Sequence, residues 1–133
     1  MKHDEFIGYV QARARLDSRG AAEQATRATL ETLATRLGGG LPSNVAAQLP
    51  PELGLHLERS EDETDRFGIT EFYERVAQVE SPGTDLPQAA FHARAVISVL
   101  RDAVSQGTVD NLRAALPAEF SELFTWEGGQ AGA

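Results

Sequence analysis

Glu52 and His56 stand four residues apart, the spacing that sets two metal ligands on one face of a helix. A catalytic zinc takes three protein ligands and a structural zinc takes four. Nothing beside the pair completes such a set, and Leu123 stands where the second half of the chain would repeat His56. A structural or surface histidine is the expectation. His92 lies beside Phe91, with no serine or carboxylate at an activating spacing. There is no Gly-x-Ser-x-Gly elbow and no His-Glu-x-x-His pair. The chain has no cysteine, which excludes disulfides, thiolate metal sites and a catalytic thiol.

Two further stretches invite chemistry. "GGGLPS" (Gly38–Ser43) resembles part of a phosphate loop, but it lacks the Lys-Ser/Thr that reaches phosphate and it follows a helix pattern, not a strand. It reads as a helix stop. "ERSEDETDRFG" (Glu58–Gly68) is acidic enough for calcium. An EF-hand loop needs glycine at its sixth position; counted from Glu61 that position is Arg66, and counted from Asp65 the next ligand position is Phe67. It reads as a solvated charge run. These residues therefore predict no catalytic residue, no metal ligand, no cofactor-binding residue and no cofactor.

The polar residues that recur are more informative. Glu5 corresponds to Glu71, Arg27 to Arg94, and Glu52 to Glu119. Each arginine falls near the border of an apolar helix stripe, where its methylenes cover apolar surface and its guanidinium meets a carboxylate. The structural expectation ties each arginine to Glu5/Glu71 or Glu52/Glu119 of its own half. The functional alternative is a pair of pseudo-symmetric anion sites.

Those correspondences belong to a repeat. "EFIGYV" (Glu5–Val10) matches "EFYERV" (Glu71–Val76), "TRATLETL" (Thr26–Leu33) matches "ARAVISVL" (Ala93–Leu100), and "NVAAQLPPEL" (Asn44–Leu53) matches "NLRAALPAEF" (Asn111–Phe120). The offset is 66 in the first block and 67 in the others, so one residue is added in the loop "ESPGTD".

Each half reads as four helices. The first starts near Asp4 and near Thr70, with Phe6 and Val10, or Phe72, Val76 and Val79, on one stripe. A long helix follows, over 19–37 and 86–105. Asp17 or Ser18, and Thr84 or Asp85, are placed to cap it. Ala89, Ala93, Val96, Ile97, Leu100 and Val104 form the buried stripe of the second copy. Gly38–Gly40 and Gly107 are expected to stop the long helices. Two short helices complete each half, with Pro42 and Thr108 at the start of the first. In "LPPE" and "LPAE" leucine ends one short helix, proline starts the next, and glutamate occupies its third position near the positive end of the helix dipole.

The expectation is one all-α domain over 1–133: unit one 4–58, an acidic linker 59–68, unit two 69–125 and a disordered tail 126–133, with pseudo-twofold symmetry. Trp126 is expected at the edge of the core.

With a formal net charge of −8 and a single lysine, Lys2, the chain is ill suited to a phosphate backbone. No run approaches the roughly 20 apolar residues of a membrane span, and "MKHDEFIGYV" is too charged for a signal peptide. A cytoplasmic protein without nucleic-acid or membrane partners is expected.

Taken together, "EFYERVA" (Glu71–Ala77), "HARAVISVLRDAVSQG" (His92–Gly107) and "LRAALPAEFSELF" (Leu112–Phe124) resemble the bacterial and archaeal family called domain of unknown function 2267. "EFIGYV", "ATRATLETLATRLGGG" and "AAQLPPELG" are the weaker copy, so the resemblance spans about residue 4 to 124. It implies an all-α, internally duplicated prokaryotic domain and brings no catalytic residues. The functional expectation is a non-enzymatic protein-interaction or regulatory module that binds another protein, with a homodimer left open. The alternative is a small-ligand-binding or enzymatic domain with a cleft between the repeats. Arg27, Arg94, His92 and carboxylates gathered around one deep pocket would favour that alternative.

Overall fold

A computed structural model describes residues 1–58 and 65–125. Among them the chain is all-helical, without a strand. The α-helices are α1 (His3–Arg13), α2 (Arg19–Leu37), α3 (Leu41–Ala46), α4 (Pro51–Gly54), α5 (Ile69–Glu80), α6 (Leu86–Ala103), α7 (Gln106–Ala115) and α8 (Ser121–Thr125). Short 3-10 turns at Leu55–Leu57 and Ala118–Phe120 adjoin α4 and α8.

Local chemistry explains the boundaries. Ser18 caps α2 by accepting a bond from the Ala21 amide (3.1 Å). The helix runs to Leu37 and ends on Gly38, whose φ of 63° is easy only for glycine. Asp85 and Gln88 form a reciprocal capping box at the start of α6. Pro42 sits in the first turn of α3, as expected.

Some boundaries differ from expectation. The second long helix ends at Ala103, and Gly107 does not stop it. Ser105 instead caps α7, accepting from the Thr108 amide (3.2 Å), so Gly107 lies inside the first turn of α7 and Thr108 is not the cap. A serine with a free hydroxyl at that point starts a new helix before any glycine is needed. In the two Leu-Pro corners the glutamate falls one position earlier than counted, because Pro50 and Pro117 precede their helices as caps. The second corner opens with a 3-10 turn.

Four helices form the centre. α1 and α5 each lie against both α2 and α6, and α2 meets α6 between them. The most extensive of these contacts is α2 on α5, so α2 is not merely the centre of its own half. Its buried face carries Ala22, Ala25, Thr26, Ala28 and Thr29, small side chains that leave room for close neighbours. Phe6, Leu30, Leu33, Phe72, Ile97, Leu100 and Phe120 join one continuous apolar core. The α6 stripe is buried from Ala89 to Leu100, while Val104 lies past the helix end and is half-buried.

Val79 is not on the buried stripe of α5; it is exposed, and Tyr73 is buried in addition to Phe72 and Val76. The end of the acidic linker is not free in solvent. Phe67 is buried, its carbonyl accepts from Arg36 Nε (2.7 Å), and the Asp65 amide donates to the Thr35 carbonyl (3.2 Å). Residues 59–64, the tail 126–133 and Trp126 lie outside the described residues.

Candidate functional site

Arg94 projects from α6 toward α5 and α8. Its guanidinium pairs with Glu122, and its Nε donates to the Tyr73 hydroxyl (3.2 Å). Tyr73 in turn donates to Glu122 Oε2 (2.5 Å). The Tyr73 bond, aided by Arg94, holds the Glu122 carboxyl below the usual carboxylate range against the opposing effect of burial. Burial, with the bond to Glu122, pushes the Tyr73 phenol up. Three side chains thus satisfy one another. Arg94 does pair within its own half, but with Glu122, not with Glu71 or Glu119.

Arg27 is exposed and donates to Glu31 on its own helix (3.0 Å), not to Glu5 or Glu52. Glu5 accepts from the Lys2 amide at the start of α1 (2.9 Å). Glu71 pairs with Arg75 (2.5 Å), which also reaches Asp65 (2.7 Å) and stacks on Phe67. Glu119 accepts from the Ile69 amide (2.7 Å), capping α5 from a distant part of the chain. Glu52 is exposed on α4. The six repeated positions are therefore not brought to one place.

His92 does have a carboxylate partner. Glu80, last residue of α5, contacts its Nδ1 at 2.6 Å, and both side chains are largely buried. The two are twelve residues apart across the α5–α6 turn, too far for helical spacing to signal. Arg27, Arg94 and His92 do not gather around one pocket: Arg94 is held by Glu122, His92 by Glu80, and Arg27 by Glu31.

A depression of about 770 Å³ runs between α2 and α5. Glu31, Glu71 and Glu74 supply carboxylates along it, and the exposed Val79 and Leu86 supply apolar surface. Arg75 is its basic residue, already engaged by Glu71 and Asp65. A smaller pocket of about 450 Å³ lies among α1, α2 and α4 and is lined by His3, Arg27, Glu52 and His56, among others. Glu52 and His56 thus share a pocket, yet among the described residues no group of three or more His, Asp or Glu side chains is arranged to hold a metal ion. Burial lowers the His56 pKa, so its imidazole is neutral at pH 7, a donor and an acceptor.

Tyr73, Glu80 and Glu122 are the polar residues that sequence reasoning missed. Each reaches a partner on another helix, and periodicity reports faces, not the pairs that meet across them. Among the described residues no helix is long and apolar enough to cross a membrane. No curated protein matches the chain. Residues 3–123 match the family described as "Uncharacterized conserved protein (DUF2267)".

Proposed function

The chain belongs to the DUF2267 family, and we propose that it is a non-enzymatic interaction module that docks a basic amphipathic segment of another protein in the α2–α5 cleft. The carrying observation is the composition of that cleft. Its carboxylates, Glu31, Glu71 and Glu74, stand beside Val79 and Leu86, two large apolar residues left exposed. A partner with lysines or arginines on one side of an apolar stripe satisfies both. Each exposed charge pair contributes only about 0.2–1 kcal/mol, so the charges steer and select while the apolar contact holds. The same charge, and the overall −8, disfavour nucleic acid as a partner. We place the protein in the cytoplasm, acting as a monomer or as a homodimer.

The architecture belongs to the same reading: one domain made of two tandem units, 4–58 and 69–125, related by a pseudo-twofold axis. The order of contacts supports it. α1 on α2 answers α5 on α6, and α2 on α5 answers α6 on α1. The cleft then lies between elements of opposite units.

Titration calorimetry with two synthetic helical peptides tests the docking. Both carry one apolar stripe; one has lysines beside it and the other glutamates. The basic peptide is expected to bind with an affinity that falls as salt rises, and Glu74→Lys is expected to weaken it several-fold. Equal binding of the two peptides, or binding indifferent to Glu74→Lys, would refute the proposal.

A further inference from the structure

The pocket among α1, α2 and α4 is a different site with different chemistry. The two halves of the sequence show why it is open. At the repeat offsets, Ile7 corresponds to Tyr73, Arg27 to Arg94 and Leu55 to Glu122. In the second half those residues are Tyr73, Arg94 and Glu122, bonded to one another between α5, α6 and α8. In the first half the arginine remains, but isoleucine and leucine replace its phenol and its carboxylate. Leu55 points to solvent, and Arg27 turns to Glu31 in an exposed pair on its own helix. Such a pair on one helix face is weak and yields readily to a better carboxylate.

The pocket that remains, about 450 Å³, has an apolar floor of fully buried Ile7 and Leu53. Its walls carry both signs: Arg27 on one hand, Glu23 and Glu52 on the other. The neutral His56 imidazole adds a donor and an acceptor. We infer that this pocket binds a small zwitterion, an α-amino acid with an apolar or aryl side chain. Its carboxylate takes the place on Arg27 that Glu122 holds on Arg94. Its ammonium meets Glu23 or Glu52, and its side chain covers Ile7 and Leu53 where the second half has the Tyr73 ring. The volume admits a molecule of that size and excludes a folded partner.

The experiment is a backbone-amide NMR titration with three probes: L-phenylalanine, phenethylamine, which lacks the carboxylate, and 3-phenylpropionate, which lacks the amine. Phenylalanine is expected to shift the amides of Ile7, Thr26 and His56, with each half-ligand at least tenfold weaker. Arg27 is exposed, so Arg27→Gln folds; it is expected to lower phenylalanine affinity about tenfold and leave phenethylamine unchanged. The double variant Ile7→Tyr, Leu55→Glu rebuilds the second half's network and is expected to abolish binding, with a melt confirming that it is folded. The inference is overturned by no shift at those amides up to millimolar phenylalanine. It is equally overturned by half-ligands that bind as well as phenylalanine, or by undiminished binding to Arg27→Gln. The amides read, Ile7, Thr26 and His56, line this pocket and not the α2–α5 cleft, and docking there is tested at Glu74, so the two proposals fail separately.

Discussion

At the scale of single residues, the two arginines show how one residue type at corresponding positions takes different work. Arg94 is enclosed by Tyr73 and Glu122, while Arg27 keeps only a neighbour on its own helix. Arg94→Ala is accordingly expected to lower the melting temperature, at a cost of about 1 kcal/mol for a partly exposed network. The loss depends on pH in a defined direction. Glu122 titrates lower in the folded chain than unfolded, first because Tyr73 donates to it and then because Arg94 pairs with it. Its stabilisation is therefore present above the unfolded value of 4.5 and fades as pH falls through the lower folded value. Melts of the wild type and of Arg94→Ala should stay separated from pH 7 to 5 and draw together in stronger acid. His56 gives a second window. Burial lowers its pKa from 6.5, so the folded chain resists protonation and stability is lost as pH falls below that value. His56→Leu, which copies the Leu123 of the second half, should flatten the melting-temperature profile between pH 7 and 5. A profile as steep as that of the wild type would place the sensitivity elsewhere.

At the scale of elements, caps and packing divide the task of setting each helix. Leu100 is almost fully buried on α6, in the core shared by both halves. Leu100→Ala should cost about 2–5 kcal/mol in denaturant unfolding. Glu119→Ala tests a different contribution: it frees the Ile69 amide at the start of α5, and about 1 kcal/mol is expected. A calorimetric melt that leaves α5 unaffected would show that water replaces that bond without penalty. The elements were also the most legible part of the sequence. α2 runs over 19–37 as its cap and its glycine stop predict, because both signals act within one turn of the boundary. The end of α6 differs from expectation because Ser105 and Gly107 compete as punctuation, and the serine hydroxyl acts first. The candidate sites were far less legible. Glu52 and His56 were visible as a pair, yet the pocket they share depends on Leu55 pointing outward and on Ile7 being short, neither of which spacing reveals. The α2–α5 cleft depends on two helices far apart in sequence, and helical spacing puts Val79 on the buried stripe of α5 although the fold leaves it exposed.

At the scale of the whole molecule, the decisive fact is that helices from the two halves of the chain pack against one another in one core. A helix on the surface of a bundle buries one stripe. α2 buries more than half of its residues, because α1, α5 and α6 all lie against it. Two of those three neighbours come from the second half of the chain. A fragment ending at residue 58 would keep α1, α3 and α4 but expose the face of α2 that meets α5 and α6. So short a chain buries a smaller share of its surface than a full-sized domain and has little stability to spare. The fragment 1–58 is therefore expected to be largely unfolded alone, with weak helical circular dichroism and no sigmoidal melt. The fragment 65–133 is expected to lose cooperativity for the matching reason, since α5 and α6 lose α2 and α1. Mixed at equal concentration the two should recover helical signal and a single concentration-dependent melt, because each supplies the other's missing face. Circular dichroism of the separate and mixed fragments makes the measurement. A cooperative melt of 1–58 by itself would mean that each unit closes its own core, and the α2–α5 cleft would then be a seam between independent modules rather than part of one packed molecule.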